Sequence, residues 1–407
     1  MRASEQRAVL SQVRCEYQPI VELAHGKVQA YEALARGPAG SPIERPDRLF
    51  AAARERNLLA ELDWRCRAVA VVGALEAGLR PPAALFVNVE PETIAAVRPT
   101  ELAALFERAS VELRVVLEIT ERALTHDPAT LFAAVASARH AGFGIALDDV
   151  GADPASLALM PFLEPDVIKL DLRLVQQRTS AEIAEIVNAV AAQSERTGAV
   201  VLAEGIETDE HRLRAISMGA TLGQGWLFGR PGSIGAVEVV EELPLLTFDH
   251  DTHRTPFDVV EPYGRMRLAS KGLLLPMSVH LERQALRAAE PPVLLAAFQD
   301  AVHFTPATAE RYRDLASHCS FVAAFASDLG PSPVEGVRGE SLDPADPLRG
   351  EWVVTVVGPH FAGALVARDL GDETDDLDRR FECVVTHDRG VVVTVARALM
   401  ARTGPLS

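Results

Sequence analysis

Residues 143–171 read FGIALDDVGADPASLALMPFLEPDVIKLD. Two short Val/Ile/Leu-rich runs, FGIAL and DVIKL, show little alternation, as expected of strands covered on both faces. Each ends in charge: Asp148 and Asp149 after the first, Lys169 and Asp171 at the end of the second. The same rhythm extends outward from residue 16 to about residue 230. EYQPIVEL, VQAYEALA, ALFVNV, RVVLEIT, AVVLAEGI and TLGQGWLF read as further strands. Between several of them lie helical patterns such as PDRLFAAARERN, DWRCRAVAVVGALEAG, PATLFAAVASARHAG, SAEIAEIVNAVAAQSER and DEHRLRAISMG, many closed by a glycine suited to a left-handed cap. Eight strands in this alternation predict a TIM-like (β/α)8 barrel rather than an open sheet. The first two strands, joined by the short AHGK segment, read as a hairpin and so as an antiparallel first pair.

Polar residues recur where barrel strands end. They are Glu32 in YEALAR, Asn88 in LFVNVEP, Glu118 and Glu121 in VVLEITER, Asp148 and Asp149, Lys169 and Asp171, Glu204 and Glu207 in LAEGIET, and Gln224 in GQGW. Each group comes from a different strand, and in a barrel those positions converge on one mouth. A lone Asp at a strand end is more often a helix cap, and a lone Asn more often serves a turn. Their joint occurrence has no such reading, because several like charges buried together cost many kcal/mol unless a cation offsets them. Oxygen donors without paired His or Cys fit Mg²⁺ or Mn²⁺ rather than Zn²⁺. The adjacent Asp148 and Asp149 suit a two-metal site, since one carboxylate can bridge two ions.

Seven blocks then carry a family resemblance over residues 15–232: YQPIVEL with YEALAR, NVEP, EITE, the DD pair, KLD, AEGIET and QGWLFGRP. In order and spacing they resemble the EAL-domain cyclic di-GMP phosphodiesterases. The resemblance implies hydrolysis of cyclic di-GMP to linear pGpG on two divalent cations. Glu32, Asn88, Glu118 and Asp148 would hold the first ion, Asp148 and Asp149 the second, with Glu204 assisting it. Lys169 would lie beside the attacking water, and Glu32 and Glu204 would share in catalysis. Gln18, Leu34, Arg36 and Asp171 would contact substrate, Arg36 through its planar donor fork. Glu121 and Glu207 would order the loop after Asp149, Gln224 would hold a water, and a homodimer is implied. One stretch departs from the family: DDFGTGYSSL, the common form in active members, is DDVGADPASL here, with Val150, Asp153 and Pro154 among the changes; NVEP and QGW are milder ones. The alternative is therefore a catalytically impaired EAL domain that serves as a cyclic di-GMP receptor or signalling scaffold. Every presumed metal ligand is nonetheless in place.

Residues 1–240 are taken as the barrel and 241–262, rich in Pro, Asp, His and Thr, as a linker. Asp249, His250, Asp251 and His253 there read as solvated polar residues rather than a metal cluster. Residues 263–407 read as a smaller α/β domain resembling the DICT sensory domain through its pattern, its place in the chain and residues such as PMSVHLE and FVAAF. That resemblance implies a small-molecule or protein signal. The 407 residues carry a net charge of −17, with no run of Lys and Arg, which argues against a long nucleic acid or an anionic membrane as partner. The four cysteines are widely spaced, no secretory signal is seen and no eighteen uncharged apolar residues run together, so a cytoplasmic location is expected.

Overall fold

The computed structural model describes residues 12–94, 96–120, 127–152, 157–178, 180–235, 242–245, 255–264 and 266–404. The chain divides into two compact units. In the first, eight strands close into a barrel in sequence order. They are β1 (Arg14–Glu22), β2 (Val28–Arg36), β3 (Ala84–Asn88), β4 (Arg114–Thr120), β5 (Gly144–Val150), β6 (Val167–Leu170), β7 (Val200–Ala203) and β8 (Leu222–Gln224). β2 to β8 are parallel, while β1 is antiparallel to both β2 and β8. The expected antiparallel first pair is thus present, and the reversal belongs to β1.

Every strand places a buried apolar side chain in one interior layer: Ile20, Ala30, Phe86, Val116, Ala146, Val167, Leu202 and Leu222. Such a layer fills a barrel of this size. Below it the chain returns. Leu243 and Leu245 join the same cluster, Gly144 leaves room that a Cβ would take from Leu245, and Arg114 pairs with Glu242 and donates to the Leu243 carbonyl. Residues 242–245, read from sequence as the start of a linker, therefore pack as the barrel floor. Asp249, His250, Asp251 and His253 lie outside the described residues.

The outer helices follow from local signals. In Ala181–Thr197 the Ser180 hydroxyl accepts from the Ile183 N–H, Gly198 ends the helix at φ +80°, and Ile183, Ile186, Ala189, Val190 and Gln193 form one buried face. In Asp209–Ser217 the Thr208 side chain accepts from the His211 N–H, and two acidic residues occupy the first turn.

The second unit is a seven-stranded mixed sheet. Val293–Asp300 lies inside it, parallel to Phe321–Ser327 and antiparallel to the central strand Glu351–Val357. Helices Lys271–Ala285 and Pro306–Ala316 supply Leu274, Leu281, Tyr312 and Leu315 to its core. Buried Glu282 accepts from Arg311 Nε at 2.6 Å and from Tyr312 Oη at 3.2 Å. Cys319 packs against this core, and burial pushes its thiol up to about 12, so it is no thiolate at neutral pH. Among the described residues no helix is long and apolar enough to cross a membrane.

Two predictions follow from this packing. Leu243→Ala opens a cavity under the barrel and should cost about 2–4 kcal/mol in denaturant unfolding; a barrel fragment ending at residue 240 should be less stable than one ending at 246. Glu351, which accepts from the Phe257 N–H at 3.0 Å, is pushed by burial to about 7 from an ordinary 4.5. A carboxyl raised by folding stabilises while protonated. Its contribution is full below pH 4.5 and is lost as pH rises through about 7, on the order of 2 kcal/mol. Glu351→Gln should flatten that part of the pH profile of thermal unfolding; an unchanged profile would show that Glu351 reaches water.

Candidate active site

Side chains alternate across a strand, so the residue two places beyond each apolar layer member also points into the barrel. Counted toward the mouth, these residues are Glu32, Asn88, Glu118, Asp148, Lys169, Glu204 and Gln224. β1 runs the other way, so its member lies two places before Ile20 and is Gln18. A complete polar layer thus sits on a complete apolar one.

At its centre is Lys169, fully buried. Its Nζ lies 2.5 Å from Glu118 Oε1, 2.8 Å from Glu204 Oε1, 2.9 Å from Asp148 Oδ1 and 3.9 Å from Glu32 Oε1. One ammonium faces four carboxylates. Glu32 is also held by amides: Asn88 Nδ2 donates to Oε1 at 3.0 Å and Gln224 Nε2 to Oε2 at 2.6 Å. Gln224 Nε2 also donates to Gln18 Oε1 at 3.2 Å, and Gln18 Nε2 to the Gly229 carbonyl at 3.1 Å.

The electrostatics follow from burial and count. Burial pushes Glu118 well above the usual carboxylate range, with Glu32 adding to the shift and Lys169 opposing it. Burial also raises Glu204, to about 8, again against Lys169. Glu32 resists its own burial, because Lys169, Gln224 and Asn88 stabilise its anion and hold it low. Burial works against the Lys169 charge, yet Asp148, Glu118, Glu204 and Glu32 together raise it above its ordinary value.

Asp149 joins by a change of backbone. Adjacent strand residues point to opposite faces, but Asp149 is left-handed at φ +57°, its N–H donating to Asp148 Oδ1 at 3.0 Å. Asp148, Asp149 and Glu204 each offer an oxygen within 4.8 Å of the others. The donor set is all oxygen, and among the described residues neither Glu118 oxygen nor Gln224 Oε1 accepts a well-formed hydrogen bond. Excess buried negative charge with unsatisfied oxygens is the environment hard divalent cations fit.

The remaining expected residues lie in different settings. Leu34 and Arg36 climb β2 above Glu32, both half-buried, and Arg36 Nε donates to Glu16 Oε2 at 2.9 Å. Asp171 caps helix Leu172–Gln176, its Oδ1 accepting from the Arg173 N–H at 2.8 Å and from Arg173 Nε at 2.9 Å. Glu207 is exposed, its N–H donating to His211 Nδ1 at 3.3 Å. Glu121, Asp153, Pro154 and Ser156 lie outside the described residues; Val150 is buried and Gly151 adopts φ +96°. Gly205 was not singled out from sequence. At φ +66° a Cβ there would sit 2.5 Å from that of Leu172, so only glycine lets the chain turn beside Glu204. Its signal is its place directly after a strand-end carboxylate.

A family model described as the EAL domain matches residues 2–231, more than half of the chain. The chain belongs to the EAL-domain family. A second model, the sensory domain in diguanylate cyclases and two-component systems (DICT), matches residues 258–370. The EAL barrel is 31% identical over 220 residues to the cyclic di-GMP phosphodiesterase RocR of Pseudomonas aeruginosa, covering 53% of this chain and 56% of RocR. It is equally similar to the probable cyclic di-GMP phosphodiesterase PdeB of Escherichia coli, covering 53% of this chain and 42% of PdeB. The chain thus spans about half the length of the curated relatives it matches. A solved structure titled "PaMucR Phosphodiesterase, c-di-GMP complex" shares the fold at a TM-score of 0.50 and 23% identity, over 56% of this chain and 96% of that one.

The charge balance gives a contrast. In chelator, Lys169→Met leaves the carboxylates unopposed and should cost about 3–5 kcal/mol in denaturant unfolding, the scale of a broken buried pair. Glu118→Gln replaces a carboxyl that burial already pushes well above the usual range and should be neutral or stabilising under the same conditions. Lys169→Met as stable as wild type would mean the layer is open to water.

Proposed function

We propose that the EAL barrel hydrolyses one phosphodiester bond of cyclic di-GMP to give linear pGpG. The observation that carries this reading is the polar layer itself: four carboxylates from four strands around one buried ammonium, at the end of a barrel where such sites lie. Support comes from RocR, a cyclic di-GMP phosphodiesterase 31% identical over the barrel.

In this reading Glu32, Asn88, Glu118 and Asp148 hold one divalent cation, Asp148 and Asp149 a second, and Glu204 assists the second. Bound there, Mg²⁺ or Mn²⁺ would lower the pKa of an attacking water and offset charge growing on the phosphoryl oxygens. The water oxygen bonds to phosphorus as the bond to the ribose 3′ oxygen breaks, leaving a 5′-phosphate and a 3′-hydroxyl. Lys169, held as an ammonium by its neighbours, orients that water as a donor and stabilises the anionic phosphoryl group. Gln224 presents its free Oε1 to a water, and its Nε2 fixes Glu32. Gln18, Leu34 and Arg36 line the substrate side of the mouth, Arg36 for a phosphate. Asp171, as the cap of helix 172–176, acts on substrate through that helix rather than by a free carboxylate. The DICT unit receives a signal that adjusts turnover.

The test is nucleotide chromatography with added Mg²⁺, Mn²⁺, Ca²⁺ or chelator, beside calorimetric affinity. Mg²⁺ or Mn²⁺ should support turnover, chelator should abolish it, and Ca²⁺ should inhibit through its looser shell. Glu32→Ala should lower both metal occupancy and turnover. Lys169→Ala should cut turnover roughly a hundredfold while nucleotide affinity holds. A wild type that binds yet never yields pGpG would make the chain a receptor instead.

A further inference from the structure

Large apolar side chains stand exposed beside the polar layer. Trp226 is 54% exposed, Leu172 44% and Leu227 39%. Trp226 follows Gln224 by two residues, and its loop is pinned to the site at three points. The Ile206 N–H donates to the Gln224 carbonyl at 3.0 Å, and the Leu227 N–H to the Ile206 carbonyl at 3.0 Å. Gln18 Nε2 donates to the Gly229 carbonyl, and the Phe228 and Gly229 N–H groups donate to the Gly225 carbonyl at 3.1 and 3.2 Å. A Cβ on Gly225 would fall 2.1 Å from the Ile206 oxygen, so the loop has no slack there. Ile206 is itself two residues beyond Glu204, and Leu172 packs on the intervening Gly205. Leu172 and Trp226 therefore flank the same short turn at the rim above the carboxylates.

A tightly held loop that leaves its largest side chain in water is not built for packing alone. Arg230 stacks on the indole, its Cζ 4.0 Å from the ring centroid, and makes no ion pair among the described residues. The guanidinium steadies the ring and covers one face. We propose that the other face of Trp226 is a stacking platform for one guanine base of the substrate, so that the rim beside β8 contributes affinity and purine selectivity. This rests on the cyclic di-GMP reading above. Stacking suits the position because a base offers a flat π-face to an aromatic ring whatever its hydrogen-bonding edge is doing.

The experiment uses the full chain with Trp226→Ala, Trp226→Phe and Arg230→Ala. It measures kcat and KM by nucleotide chromatography in Mg²⁺ and Kd by calorimetry in Ca²⁺. Trp226→Ala should raise KM and Kd about ten- to a hundredfold with kcat nearly unchanged, since uniform binding is what it loses. Trp226→Phe should restore most of the affinity, and Arg230→Ala should cost less than Trp226→Ala. The chain has three tryptophans, of which Trp352 is buried and Trp64 half-buried. Cyclic di-GMP should therefore quench mainly Trp226, and Trp226→Phe should lose the quench. A wild type that neither binds nor cleaves cyclic di-GMP overturns both readings. A wild type that does so, with Trp226→Ala equal to it or Trp226→Phe as weak as Trp226→Ala, overturns the platform alone.

Discussion

The charge of Lys169 is the constraint on which the mouth of the barrel depends. Four carboxylates approach one ammonium in a volume largely closed to water, and Glu32 is further held by the amides of Asn88 and Gln224. The imbalance sorts the carboxylates. Glu32, with two amide donors, keeps its anion; Glu118, with an ion pair alone, is driven well above the usual range by burial. A set of buried oxygens arranged in this way is one that hard divalent cations would fit.

Barrel geometry explains why these residues meet. The apolar layer and the polar layer above it are separated by one inward step on every strand, so the strands that close the core also fix the site. Much of this was legible in the sequence: an apolar strand ending in a carboxylate is already both halves of the statement, as in VVLE, IALD and VLAE. The place of Gln18 was legible only through family resemblance. In the structure it comes from the reversal of β1, which makes the preceding inward residue, not the following one, face the mouth.

Other features depend on contacts that no local pattern carries. Asp171 has the composition of a strand-end ligand, yet the helix that begins one residue later takes its carboxylate for a cap. Leu243 and Leu245 sit in a polar, proline-bearing stretch that reads as a linker; only the open end of a barrel gives them something to cover. Gly205 and Gly225 matter for what they exclude, a Cβ against Leu172 and against the Ile206 backbone, and exclusion leaves no periodicity. Asp149 is the converse case. Its side chain reaches the site only because the backbone leaves the extended region, where alternation would have turned it away.

The two units solve the problem of buried charge differently. In the second, two buried carboxylates are answered locally: Glu282 by Arg311 and Tyr312, Glu351 by the Phe257 N–H. A carboxylate answered in that way is a structural part, complete without a ligand. In the barrel the polar layer sets four carboxylates against one ammonium, and among the described residues neither Glu118 oxygen nor Gln224 Oε1 accepts a well-formed hydrogen bond. A fold retains such a layer when something outside the chain completes it. The distinction between a finished and an unfinished set of hydrogen bonds, more than the number of acidic residues, separates a site from a core.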